Sequence, residues 1–228
     1  MPNIPLQDEA FEVAGVSVVR SSPERGEPAW AWVYAPGAGS SIRDPFGTYA
    51  SALLTERGIA TVRFQFPYME RGSKRPDAPR TLEATWRAVL AASRGDGVRL
   101  IASGRSMGGR VASMVVADAG GADALALFAY PLHAPGRAFD AGAGPRVEHL
   151  PSIGVPTLFC SGTRDAFGTT EELRDAAALV EDSTLHLLEG ADHGFATLKS
   201  SGRTREDVWR EAVDAMLAWL DTPRWAGA

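Results

Sequence analysis

Cysteine is nearly missing from this chain: Cys160 stands alone among 228 residues. A lone cysteine excludes an internal disulfide and any cluster metal site built from cysteines. Long hydrophobic runs are missing too. The longest apolar region, Val111 to Tyr130, is broken by Asp118, Gly120-Gly121 and Asp123. That pattern spells a helix, a turn and a strand, not a membrane span. Positive charge is in short supply, with 23 Lys and Arg against 28 Asp and Glu and a net charge of -5. Such a balance gives no electrostatic pull toward nucleic acid or an anionic membrane, and neither partner is expected. Met1 to Ala10 has no basic-then-apolar pattern and carries Asp8 and Glu9, unlike a secretory leader, so the expected location is cytoplasmic. No repeat, linker or low-complexity segment interrupts the chain, which predicts a single domain over 1–228 with its core at about 10–222.

What is present is an alternation of strand and helix signals. Phe11 to Arg20 and Ala29 to Ala35 predict early strands, the second half-buried, because Trp30, Trp32 and Tyr34 alternate with smaller residues. Asp44-Pro45 supplies an N-cap with proline at the first helical position, and Gly58 ends that helix. Ile59 to Phe66 predicts a strand, and Leu82, Trp86 and Val89 recur at helical spacing. Further strands are predicted at Val98 to Ala102, Ala124 to Tyr130, Pro156 to Cys160 and Ser183 to Leu188. Capping boxes at Thr169/Glu172 and Thr204/Asp207 open two more helices. This βαβα order predicts an α/β fold: a mostly parallel sheet with helices on both faces. Ligands of such sheets sit beyond the carboxyl ends of the strands, so the loops there are the ones to inspect.

Three of those loops carry a chemical signature. Gly104-Arg105-Ser106-Met107-Gly108 falls between a buried strand and a helix, where a tight turn exposes a serine hydroxyl and demands small residues two places either side. The other reading is an ordinary βα turn that happens to hold a serine. Asp165 follows the penultimate strand, where a carboxylate can orient a base, or can simply cap the next helix. His193 follows the last strand between glycines, and imidazole is the natural base near neutrality; the other reading is a surface loop histidine. Of the remaining histidines, His186 lies within a strand, while His133 and His149 lie in the preceding crossover, where His133 can line a pocket. The order Ser106, Asp165, His193 is the one such a sheet uses for a nucleophile, its acid and its base. A fourth loop, Pro36-Gly37-Ala38-Gly39-Ser40, has backbone N–H groups to offer a developing oxyanion beside the N–H of Met107, with Ala38 the expected donor and Gly39 the fallback. A plain glycine-rich turn is the alternative.

Taken together, the chain resembles the α/β-hydrolase superfamily, and within it the small group related to dienelactone hydrolases. The resemblance rests on Gly37-Ala38-Gly39-Ser40, Arg63-Phe64-Gln65-Phe66-Pro67-Tyr68-Met69, Gly104-Arg105-Ser106-Met107-Gly108-Gly109-Arg110, Tyr130-Pro131-Leu132-His133-Ala134-Pro135-Gly136, Glu148-His149-Leu150-Pro151, Gly162-Thr163-Arg164-Asp165 and Asp192-His193. It implies Ser106 as nucleophile, Asp165 as acid and His193 as base. The group usually carries His-Gly where this chain has Pro36-Gly37, and proline has no N–H to donate. Larger relatives insert a helical cap after the strand that follows the elbow helix. The connection Pro131 to Val155 is rich in proline and glycine and without a long amphipathic run, so no cap is expected.

The expected activity is that of a serine hydrolase, carboxylesterase-like, acting on a small acyl ester without cofactor or metal. Arg105, Tyr68 and His133 are the expected substrate-binding residues. Arg71, Lys74, Arg75, Arg80 and Arg43 give the rim a basic cast that either favours an anionic substrate or is spent on solvent and nearby carboxylates. Two other activities stay open: a hydrolase-like interaction module with little turnover, and a peptidase or thioesterase using the same three residues.

Overall fold

The computed structural model describes residues 7–136 and 146–225. Eight strands form one sheet: β1 (Gln7–Val13), β2 (Val16–Ser22), β3 (Trp30–Ala35), β4 (Ala60–Phe64), β5 (Arg99–Arg105), β6 (Ala124–Phe128), β7 (Thr157–Gly162) and β8 (Ser183–Leu188). Their spatial order is β1-β2-β4-β3-β5-β6-β7-β8. From β4 through β8 the pairing is parallel; β1 and β2 join antiparallel at one edge. Among the described residues there are six α-helices: α1 (Pro45–Glu56), α2 (Pro67–Glu70), α3 (Pro79–Ser93), α4 (Met107–Ala119), α5 (Thr170–Ala178) and α6 (Arg205–Leu220).

The strands alternate their side chains between two apolar layers. Leu100 and Ala102 of β5, Leu125 and Leu127 of β6 and Phe159 of β7 enter one layer, with Trp86 and Val89 of α3, Val111 and Val115 of α4 and Leu173 of α5. Ile101, Ala126, Phe128, Leu158 and Cys160 enter the other, with Phe46 of α1 and Val213 and Met216 of α6. Burial on both faces is what a parallel sheet requires, and the helix starts fit it. Asp44 accepts the Gly47 N–H at 3.0 Å. Thr169 and Thr204 complete capping boxes with Glu172 and Asp207.

Three expectations need correction. The first predicted strand is two, folded into a hairpin at Ala14-Gly15, both with positive φ (51° and 75°). That left-handed pair matches the twist of the flanking strands, yet Ala14 gives no asparagine or aspartate signal in the sequence. Strand β3 is buried on both faces, not one. Its small residues Ala31, Val33 and Ala35 face the layer filled by Trp86, and its large ones face Phe46. Strand β6 ends at Phe128, because Ala129 turns to φ 48° and carries the chain away. Among the described residues, the β6–β7 connection forms no cap domain. Its described parts hold only a short 3-10 turn, Leu150–Ser152, while 137–145 lie outside the described residues. Among the described residues, no helix is long and apolar enough to cross a membrane.

Candidate active site

Strand β5 runs up the middle of the sheet and ends at Arg105; Ser106 then turns the chain directly into α4 with φ 53° and ψ -120°. A side chain rarely adopts that backbone. The turn survives because nothing crowds it. A Cβ built on Gly104 would stand 2.5 Å from Gly109 N, one on Gly108 would stand 2.2 Å from Ala35 O, and one on Gly109 would stand 2.5 Å from Gly104 O. Those contacts are all to backbone, which cannot step aside. The glycines therefore let strand, helix and the loop after β3 close up, with Ser106 held at the rim. Its own N–H donates to Phe128 O at 2.9 Å, tying the elbow to β6.

Asp165 and His193 leave β7 and β8, two and three strands away. At about 4.8 Å per strand, the histidine loop must reach back about 14 Å to meet the elbow. It is braced for that span. Asp192 Oδ1 accepts the N–H groups of Gly194 (2.8 Å) and Ala196 (2.9 Å). Phe195, at φ 61°, buries its ring fully, 5.3 Å from that of Phe46. The two loops are also laced together. Arg164 N–H donates to Ala191 O at 2.9 Å, and Gly190 N–H to Thr163 Oγ1 at 2.9 Å.

The result is a connected row of three side chains. His193 Nδ1 lies 2.7 Å from Asp165 Oδ2 and 3.0 Å from Oδ1, and His193 Nε2 lies 2.9 Å from Ser106 Oγ. A carboxylate only accepts, so Nδ1 carries the proton and Nε2 is left to accept from the serine hydroxyl. The Asp165 side chain is 1 % exposed and that of His193 23 %. The acid is thus shielded from water while the imidazole edge remains accessible.

The loop after β3 packs on the elbow. A Cβ at Gly37 would stand 3.6 Å from Ser106 Cβ, and Pro36 O lies 2.5 Å from where a Gly108 Cβ would be. Ser40 N–H donates to Gly37 O (3.1 Å) and Gly39 N–H to Tyr68 Oη (3.1 Å). The fallback donor Gly39 is therefore taken. The N–H groups of Gly37 and Ala38 are unengaged among the described residues. Met107, as the first residue of α4, has an N–H with no acceptor inside the helix.

The three expected substrate residues have other employment. Tyr68 is fully buried and its hydroxyl shapes the glycine loop. Arg105 turns its guanidinium to Asp44 Oδ1 (3.2 Å), whose Oδ2 accepts Tyr34 O–H (2.7 Å) and caps α1. Burial, reinforced by the Asp44 carboxylate, pushes the Tyr34 phenol well above its ordinary range, so it remains the donor. His133 lies between Glu172 (Nε2 to Oε2, 3.0 Å) and Ala134 O (Nδ1, 2.9 Å). Burial opposes its charge, but the Ala134 carbonyl and the Glu172 carboxylate prevail and raise its pKa. Of the rim cations, Arg71 pairs with Asp77, and Arg43, Lys74, Arg75 and Arg80 are exposed. His186 pairs with Glu211 at 3.1 Å, as befits a structural strand residue. Two contributors carried no sequence signal: Asp44, beyond its capping role, and Phe167, whose ring stacks on His193.

Comparison with known proteins follows the same line. A family model described as an alpha/beta hydrolase domain matches residues 28–221. Among solved structures, a serine hydrolase without a lid from Xanthomonas campestris superposes with a TM-score of 0.70. It has 21% identity and covers 97% of this chain and 99% of its own. Est1E from Butyrivibrio proteoclasticus with ferulic acid bound gives 0.74 at 16% identity, covering 94% and 100%. A dienelactone hydrolase from Anabaena variabilis gives 0.67 at 18%, covering 92% and 96%. No curated protein sequence matches this chain.

Proposed function

The chain belongs to the alpha/beta hydrolase family, and from that premise we propose that it is a serine hydrolase, carboxylesterase-like, which cleaves an ester or related acyl bond. The observation that carries the proposal is the unbroken row Asp165, His193, Ser106, joined at 2.7 and 2.9 Å above a strained turn. In this reading Ser106 Oγ attacks the acyl carbon while its proton passes to His193 Nε2. Asp165 holds the imidazole in the tautomer that can receive it and stabilises the cation that results. The negative charge moves to the former carbonyl oxygen, opposite the N–H groups of Met107 and Ala38. A donor of this kind is worth about 3–4 kcal/mol of barrier in a comparable site. The imidazolium then returns its proton to the departing alcohol. Water repeats the sequence, with His193 as base, and frees the acid. Every proton is accounted for within the three side chains, and no cofactor or metal is called on.

Among the described residues no cap covers the site, so the expected substrate is a small acyl ester with modest discrimination by chain length. A fluorophosphonate probe tests the central assignment. Native protein should label and Ser106→Ala should not, and ester turnover should fall by about 10⁴-fold or more in that variant. Failure of the native chain to label would leave an interaction module as the better account. Preference for thioesters or peptides across a substrate panel would keep the three roles and change the bond.

A further inference from the structure

Phe167 is the one aromatic residue in contact with the imidazole among the described residues, and nothing in the scheme above uses it. Its ring centroid is 4.0 Å from that of His193, with the planes 24° apart. Its own N–H donates to Asp165 Oδ1 at 2.8 Å. Its carbonyl accepts the N–H of His133 at 3.1 Å. His133 is fixed in turn by Glu172, whose Oε2 also accepts the Thr169 N–H that opens α5 (2.7 Å). One residue therefore touches the acid through its backbone and the base through its ring, and it is itself anchored on the far side.

We infer that Phe167 is a positioning residue that fixes the plane of the His193 imidazole, an inference that rests on the serine-hydrolase reading. The need follows from geometry. The ring is tied through Cβ and through Nδ1 to Asp165, but its Nε2 bond to Ser106 is given up once the proton is taken, and the ring can then tilt about the remaining line from Cβ to Nδ1. The base must accept a proton from Ser106 and then deliver it to a leaving group at a different place, so a tilt misdirects Nε2 in the second step. A flat, nearly parallel wall at van der Waals distance removes that freedom. The face of the phenyl ring also attracts the cation that forms when the proton is taken up. The Phe167 N–H, meanwhile, occupies Asp165 Oδ1 and leaves Oδ2 as the closer partner of Nδ1. The sequence lets the residue do both because Asp165 and Phe167 are two apart in a tight turn, where a carboxylate commonly accepts the N–H two residues on.

The full-length chain with Phe167→Leu, Phe167→Tyr and Phe167→Met provides the test. Leu and Met keep the backbone N–H and the apolar volume but remove the plane; Tyr keeps the plane. Two readouts are taken on protein whose melting temperature is unchanged. One is the low-field proton resonance of the His193 Nδ1–H in the bond to Asp165, which needs no turnover. The other is kcat and KM on a short-chain acyl ester. The expected result is a broadened or lost resonance and a fall in kcat of about 10- to 100-fold for Leu and Met, with KM within about twofold, and near-native behaviour for Tyr. Leu and Met variants with native resonance and native kcat would overturn the inference, as would a Tyr variant as impaired as Leu. If the native chain turns over no acyl substrate yet its resonance still depends on the ring, the functional reading fails and the positioning role stands. If the native chain is active and the ring proves dispensable, the reverse holds.

Discussion

Ser106 holds a backbone conformation that costs a side-chain-bearing residue about 1–3 kcal/mol. Glycine would occupy the same φ without that strain, although it gains more freedom in the unfolded chain, by about 0.5–1 kcal/mol. Ser106→Gly is therefore expected to raise the unfolding free energy by about 1 kcal/mol in a urea titration while abolishing probe labelling. A variant that is inactive and no more stable would mean the turn is not strained. The same scale shows where sequence stops informing. The meeting of Ser106, Asp165 and His193 is legible because each follows a parallel strand at the same end of the sheet, and only the Ser106 turn adds a local requirement of its own, for glycine on either side. Arg105, Tyr68 and His133 were legible as polar residues close to the site, but not in their partners. Asp44 lies 61 residues before Arg105, and Glu172 lies 39 after His133. No local pattern says that a guanidinium beside Ser106 will turn back to a helix cap and not outward to a ligand.

Helix α1 and the elbow are joined at that cap, and the joint can be tested as a unit. Asp44 is 3 % exposed and does three things at once: it caps α1, accepts from Tyr34 and pairs with Arg105. Thr204 caps α6 at an exposed position with nothing behind it. Thr204→Ala should cost about 1 kcal/mol, the usual worth of an N-cap. Asp44→Ala should cost about 3 kcal/mol or more, since it also strands a part-buried cation and a buried hydroxyl. Equal losses in paired denaturant titrations would show that the Arg105 pair adds nothing. Both caps were readable as sequence motifs, Asp44-Pro45 and Thr204 with Asp207. The elements misjudged were those whose character depends on their neighbours. The turn between β1 and β2 is set by backbone twist across Ala14-Gly15. The second buried face of β3 is made by helices α3 and α4, far along the chain, covering residues that look merely small.

Across the whole molecule, a parallel sheet fixes the order in which its carboxyl-end loops can meet, which is why three residues spread over 87 positions predicted one site. The same architecture also buries polar groups away from that site, and one of them makes stability depend on pH. His149, in the β6–β7 connection, bonds Ser113 Oγ through Nε2 at 2.8 Å and lies 3.5 Å from Tyr130 Oη. Burial, with the Arg110 charge as a lesser cause, lowers its pKa from 6.5 to about 4. The unfolded chain thus binds a proton at this residue over a range where the folded chain does not. Stability from this source is complete above about pH 6.5, falls as the pH drops, and is gone below about pH 4. Because the residue is only partly buried, a loss of about 1–2 kcal/mol across that window is the expected size. His149→Gln keeps a polar side chain beside Ser113 but removes the titration. Urea unfolding at pH 7 and at pH 4.5 should show the native chain losing more stability than the variant by that amount. An identical loss in both would place the acid sensitivity in the carboxylate pairs instead.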